Sequence, residues 1–310
     1  MLKESIFKEL IKKGYSKEGS SRVWDISNQS LLFSSPELSR AFLEVRNVPI
    51  YKKNIVDREI ELIKESKGIL NGMIGSGSFN LIDMRCAEGE RALAFLKILS
   101  NAKFRYCPVS ADESLATLAV NGVKKSKLKN VISYSPQKAG FEDFGNVCVM
   151  LRNAEFQRNV ILLMGSTLAT FEINDFLFNL SNAMFKGDIL IIGNGIRTGK
   201  RLVNLDVYNN KFFDKWFVHL MKSLGFNERE ISYGARFGNS RIECLYTLLQ
   251  DREIEHNGKK INFKKGDRVV TVGIYKYFAR ELEKFCKMYF PEGQILKDED
   301  NEYALLVCKK

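Results

Sequence analysis

Between Asn80 and Ile192 short apolar runs alternate with stretches of helical periodicity, and few folds accommodate that order. Asn80-Leu81-Ile82-Asp83-Met84 reads as a buried strand, followed by a helix over about 88–99. Phe104-Arg105-Tyr106-Cys107-Pro108-Val109 is a second strand, and Asp112 is placed to cap the helix that carries Leu115 and Leu118. A third strand spans 130–134. A fourth, Asn159-Val160-Ile161-Leu162-Leu163-Met164, precedes a helix with Phe171, Phe176, Leu177 and Leu180. A fifth covers 188–192, after the turn Lys186-Gly187. Uninterrupted apolar strands joined by helices predict a parallel sheet covered on both faces. Such a sheet takes its ligand at the carboxyl ends of its strands, where the strand order reverses.

The flanks read differently. Residues 2–13 carry apolar side chains at helical spacing (Leu2, Ile6, Phe7, Leu10, Ile11) until Gly14. Pro36 opens a helix through Val45 with Ser35 as its cap, and 54–70 is again helical. Gly72, Gly75 and Gly77 then mark a flexible turn. Residues 199–226 are expected to be helical, with Trp216, Phe217, Leu220 and Leu224 on one face. From Ser240 the chain is strand-rich: 242–249, Ile254, the hairpin turn His256-Asn257-Gly258, and 261–263. A helix over 275–289 and closing strands at 294–296 and 303–308 complete the pattern. The expected architecture is α/β, a seven-stranded, mostly parallel sheet with one antiparallel closing strand, formed by 54–198 and 275–310. Segments 1–53 and 199–274 are expected to form a second, mixed α+β domain.

No apolar run approaches the roughly 18–20 residues that cross a bilayer, so no membrane partner is expected. Met1-Leu2-Lys3-Glu4 mixes charges and lacks the apolar stretch of a signal peptide, and the expected location is cytoplasmic. Cys86, Cys107, Cys148, Cys244, Cys286 and Cys308 lie far apart without a CxxC pair. They read as reduced packing residues, and no metal site is expected. The net charge of +11 suits either a lysine-rich solvated surface or an anionic partner. The lysines cluster at Lys124-Lys125-Ser126-Lys127-Leu128-Lys129 and at Lys259-Lys260 through Lys264-Lys265, without interleaved aromatics. Nucleic acid is therefore left open and unsupported. Nothing in the sequence fixes an oligomeric state.

Several fragments, in order and spacing, resemble the histidine-specific methyltransferases that use S-adenosyl-L-methionine (SAM). Trp24-Asp25 with Ser30-Leu31-Leu32-Phe33 is similar to that family's Tyr-Asp…Gly-Ser-x-Leu-Phe segment, and Val48-Pro49-Ile50-Tyr51 before Arg58-Glu59-Ile60 to its Leu-Pro-Glu-Tyr-Tyr…Arg-Glu-Ile stretch. Met164-Gly165-Ser166-Thr167-Leu168, Ser240-Arg241-Ile242-Glu243 and Tyr275-Lys276-Tyr277 also match. The resemblance implies a class I, Rossmann-like methyltransferase sheet, a substrate or cap domain built from both flanks, SAM as cofactor and a small-molecule substrate.

The departures fall on the ligand positions that the resemblance implies. Where the family has Glu-Leu-Gly-Ser-Gly-Thr-x-Glu-Lys, this chain has Asp83-Met84-Arg85-Cys86-Ala87-Glu88-Gly89-Glu90-Arg91. Arg85 and Ala87 replace two glycines whose job is to let the backbone approach the cofactor. Arg91 keeps the basic charge, and Gly89 still fits a helix start. The ribose carboxylate becomes Ser110, with Asp112 two residues on, and Tyr134 is left to stack on the adenine. On the substrate side Tyr51 is in place. Thr170 replaces the asparagine, Asp206 (with Tyr208 nearby) the tyrosine, and Val272 and Ile274 the Glu-x-Ser pair that holds the amino group. Two aliphatic residues cannot hold a cation, so histidine is not the expected acceptor. Three functions stay open: methyl transfer to another small amine or amino-acid-like acceptor, a catalytically inactive relative that has lost SAM and acts as a binding or scaffolding protein, and an RNA- or phosphate-binding module.

Overall fold

The computed structural model describes residues 2–198 and 205–310. Its strands are β1 (Tyr15–Glu18), β2 (Ser21–Asp25), β3 (Gly77–Met84), β4 (Ala102–Ser110), β5 (Val131–Tyr134), β6 (Gln137–Lys138), β7 (Arg158–Leu163) and β8 (Ile189–Gly195). They continue with β9 (Ile231–Gly238), β10 (Arg241–Leu248), β11 (Arg252–His256), β12 (Lys259–Phe263), β13 (Arg268–Tyr275), β14 (Glu292–Lys297) and β15 (Tyr303–Lys309). The chain forms two compact units, each from two segments: a mixed unit, Met1–Val48 with Asn204–Lys276, and an α/β unit, Pro49–Val203 with Tyr277–Lys310.

In the α/β unit the strand order is β14-β15-β8-β7-β3-β4-β5, with β6 pairing β4 at its end. All pairs among β8, β7, β3, β4 and β5 are parallel, and β15 lies antiparallel to β8. This is the expected seven-stranded sheet. β3 is central because it is apolar on both faces: Leu81 sits between Tyr106 and Val160, and Ile82 between Cys107 and Ile161, all fully buried. The chain steps outward from β3 to β4 and β5, then returns to β7 and β8 on the other side. The order therefore reverses between β3 and β7. Helix Glu113–Lys124 covers β4, capped by Asp112, whose carboxylate accepts the Ser114 amide at 3.0 Å. A short helix, Phe144–Met150, was not anticipated; it buries Phe144, Val147 and Cys148 against the sheet. Gly72 lies inside the helix Lys67–Ile74 and not in a turn, and Gly75 (φ 70°) ends that helix. No helix among the described residues is long and apolar enough to cross a membrane.

The mixed unit carries the sheet β1-β2-β13-β10-β9, in which only β2 and β13 run parallel. Asn257 (φ 50°) and Gly258 (φ 73°) form the expected tight turn between β11 and β12. Helix Leu2–Lys13 stops at Gly14, and Ser35 caps Pro36–Arg46 by accepting the Leu38 amide at 3.4 Å. Two expectations are corrected. Residues 199–204 lie outside the described residues, and the following helix spans only Lys211–Ser223, capped by Asn210. Tyr275 belongs to β13, where it pairs with Arg241, and the late helix begins at Ala279. The hairpin β1–β2 and strand β9 were not legible because their exposed polar faces blur the alternation.

A buried carboxylate, Asp267, lies in the turn before β13. Asp267 accepts from Arg22 Nε at 3.0 Å and Nη2 at 2.6 Å, from Trp24 Nε1 at 3.2 Å and from the Lys264 amide at 2.9 Å. Desolvation would raise its pKa, yet these donors hold it below the usual range. A depressed folded pKa contributes stability above the unfolded value of about 3.9, and that contribution is lost as pH falls through the folded value. Arg22→Met should cost about 1–3 kcal/mol at pH 7, and progressively less as acid protonates Asp267 in the folded state, read from tryptophan emission during urea unfolding. A cost that does not change with pH would show that the guanidinium acts through packing alone.

Candidate functional site

The loop that leaves β3 holds a backbone shape its sequence resists. Arg85 (φ 64°) and Ala87 (φ 47°) both sit in the left-handed region, as does Gly89 (φ 76°). For the two non-glycine residues this costs roughly 1 kcal/mol each. The surroundings leave the loop little choice. A Cβ on Gly89 would fall 2.9 Å from the Ala119 carbonyl oxygen and 3.1 Å from Tyr106 Oη. Gly122, in the helix Glu113–Lys124, lies so close to the Glu88 carbonyl that only a hydrogen fits between them. Beneath the loop Tyr106 donates to Asp83 at 2.7 Å, with desolvation and then the Asp83 charge pushing the phenol pKa up.

The neighbouring loop after β7 is held by a buried polar cluster that sequence reasoning missed. Glu59, fully buried on the helix Arg58–Glu65, forms an ion pair with Arg91. Its Oε1 also accepts the Gly165 amide at 2.6 Å and the Tyr303 hydroxyl at 2.5 Å. Tyr303 Oη accepts the Ser166 amide at 3.1 Å, and Ser166 Oγ accepts the Gly195 amide at 3.0 Å. Desolvation would lower the Arg91 pKa, but the Glu59 charge holds it above the ordinary range. The sequence signals for this cluster, Arg58-Glu59-Ile60, Arg91 and Met164-Gly165-Ser166, stood apart, and none pointed to the pairing. Arg58, its neighbour, pairs with Asp298 at 2.6 Å and Glu302 at 3.0 Å, anchoring the turn that leads into β15.

Arg85 joins the two loops. Its Nη1 donates to Thr167 Oγ1 at 3.4 Å, across the point where the strand order reverses. Burial lowers the Arg85 pKa to about 10; the Tyr51 hydroxyl opposes this and the Arg91 charge adds to it. The guanidinium is still cationic at neutral pH. Tyr51 is buried, and Thr170 Oγ1 donates to the Thr167 carbonyl at 2.7 Å. Ser110 ends β4, where its Oγ accepts the Asp112 amide at 3.1 Å, while the Asp112 carboxylate is engaged as the helix cap. Tyr134 ends β5, half-buried, with the Lys124 ammonium 4.9 Å from its ring centre. The structure therefore gathers Arg85, Arg91 and Thr167 around the two loops and sets Ser110, Asp112 and Tyr134 at the ends of the next strands.

Asp206, Val272 and Ile274 belong to the mixed unit. Asp206 is exposed in a short 3-10 turn, whereas Tyr208 is buried and its hydroxyl accepts from Lys276 Nζ at 3.3 Å. Burial lowers the Lys276 pKa to about 8. Val272 and Ile274 are buried on β13. Two fragments of the resemblance, Trp24-Asp25 and Ser240-Arg241-Ile242-Glu243, meet in one ion network here. Arg241 bonds Asp25 at 2.6 Å and Glu243 at 3.1 Å, and Glu243 is fully buried against Arg236. All six cysteines are free and buried, and the described residues contain no group of three or more metal-ligating side chains.

The family model for histidine-specific, SAM-dependent methyltransferases matches residues 25–310. A search of curated proteins finds no match. Among solved structures, the sugar N-methyltransferase KedS8 from Streptoalloteichus sp ATCC 53650 is 11% identical, with 80% of this chain and 87% of that chain covered and a TM-score of 0.39. The PH0226 protein from Pyrococcus horikoshii OT3 is 11% identical over 89% of this chain and 99% of that one, with a TM-score of 0.44. Magnesium protoporphyrin IX methyltransferase from Synechocystis PCC 6803 is 9% identical over 91% and 97%, with a TM-score of 0.46.

Proposed function

We propose that this chain, which belongs to the histidine-specific, SAM-dependent methyltransferase family, is a methyltransferase for a small amine or amino-acid-like acceptor other than histidine. One observation carries the reading. The loop after β3 keeps left-handed backbone at Arg85 and Ala87, where the family has glycine. That is the shape by which a glycine loop lets the main chain approach a cofactor, and packing against Ala119, Tyr106 and Gly122 keeps it here. The loop therefore fits the cofactor by backbone shape. Gly89 and the main chain of 85–89 would border it, with Ser110, Asp112 and Tyr134 along its nucleoside side. SAM, when bound, supplies a methyl group on a sulfonium, open to in-line attack by a lone pair. The chain's own task is to place an acceptor nitrogen in that line, and positioning alone supplies much of the acceleration.

Acceptor choice argues against histidine. Neither Val272 nor Ile274 offers a carboxylate or hydroxyl to an ammonium group, and the Thr170 hydroxyl is spent on a backbone carbonyl. Incubation with methyl-labelled SAM and a panel of amines and amino acids should label at least one member other than histidine. Histidine itself should turn over far below the ~1 s⁻¹ of an ordinary enzyme. Rapid labelling of histidine, or of nothing in the panel while SAM fails to bind, would defeat the proposal.

A further inference from the structure

We infer that Arg85, and not Arg91, is the residue that binds the carboxylate of SAM; this rests on the reading that the chain binds SAM. Arg91 stands where the family's loop ends in a basic residue, but here it is committed elsewhere. It is buried in an ion pair with Glu59, and Glu59 at the same time holds the Gly165 amide and the Tyr303 hydroxyl. Turning Arg91 toward a ligand would strand a carboxylate with no access to water, a change that buried pairs resist strongly.

Arg85 is the cation at the right place. It follows the last residue of the central strand β3, at the reversal in strand order where parallel sheets take their ligands. Its side chain reaches the loop after β7 through Thr167, so the guanidinium bridges the two loops that flank the reversal. Burial and the nearby Arg91 charge make the guanidinium less comfortable as a cation, and an anion beside it would remove that penalty. A planar guanidinium takes a carboxylate through two parallel N–H bonds, which a lysine cannot reproduce.

Calorimetric titration with two probes tests the assignment. S-adenosylhomocysteine carries the carboxylate; 5′-methylthioadenosine has the same nucleoside and thioether without the amino-acid end. Arg85→Gly should weaken S-adenosylhomocysteine by about 10- to 100-fold and change 5′-methylthioadenosine by less than about threefold. Arg85→Lys should fall between, since it restores charge without the fork. The glycine variant relieves the strained φ, so its melting temperature should equal or exceed that of the wild type, and lost binding will not reflect unfolding. Equal or tighter binding of S-adenosylhomocysteine by Arg85→Gly would overturn the assignment and make the arginine an obstruction. Failure of the wild type to bind either probe would instead overturn the SAM reading, and the assignment with it.

Discussion

Replacing Glu59 with glutamine should lower the stability of the α/β unit by about 3–5 kcal/mol, the cost of leaving one member of a buried ion pair without its partner. Glutamine keeps the shape and one acceptor oxygen, so the loss reports the charge and not the volume. Arg91 then remains buried without its counter-ion, and the Gly165 amide loses a charged acceptor at 2.6 Å. Both tryptophans, Trp24 and Trp216, lie in the other unit, so urea unfolding should be followed by far-UV circular dichroism. Hydrogen exchange offers a local check. The amides of Gly165 and Ser166 should lose protection out of proportion to the global change, since Glu59 and Tyr303 accept them. A stability change under ~1 kcal/mol would mean that the pair behaves as a surface bridge.

Gly193→Ala should be nearly as damaging, by about 3 kcal/mol, from a single added methyl group. Gly193 lies in β8, and a Cβ there would fall inside the contact distance of the Glu59 carboxylate and 3.0 Å from Met164 Cε. An exposed side chain would swing aside. This carboxylate is pinned by Arg91, Tyr303 and Gly165 and has nowhere to go. The two substitutions share one cause, so they should not add. In a Glu59→Ala background the methyl group has room, and the coupling energy should reach about 1–3 kcal/mol in denaturant cycles. Additive effects would place the clash elsewhere.

The sheet was readable because parallel strands buried on both faces leave unbroken apolar runs, such as Leu81-Ile82 and Ile161-Leu162-Leu163. Strands with one polar face left a weaker trace, which is why β1 and β9 went unnoticed. Candidate ligand positions were legible as substitutions, because Arg85 for glycine is visible in letters alone. Their geometry was not. Nothing local marks Glu59 as the partner of Arg91, 32 positions along the chain by their numbers, or of Tyr303 near its end. Pairings across such separations are made by topology. The same blindness left Asp25 and Ser240-Arg241-Ile242-Glu243 as separate matching fragments, when they are the two halves of one ion network. It also set Asp206 ahead of Tyr208, although the aspartate is exposed and the tyrosine buried.

The parallel pairing of β2 with β13 has a consequence for how the protein emerges from the ribosome. Ser21–Asp25 is made well before its partner strand, Arg268–Tyr275. At translation rates of about 5–20 residues per second, the edge bearing Val23 and Trp24 waits roughly 12–50 seconds for the strand that covers it. Throughout that interval the nascent mixed unit is an unfinished hairpin and a pair of helices with an apolar flank uncovered. β8 waits likewise for its antiparallel neighbour Tyr303–Lys309. Each unit thus leaves an apolar sheet edge uncovered until a strand far along the chain has been made.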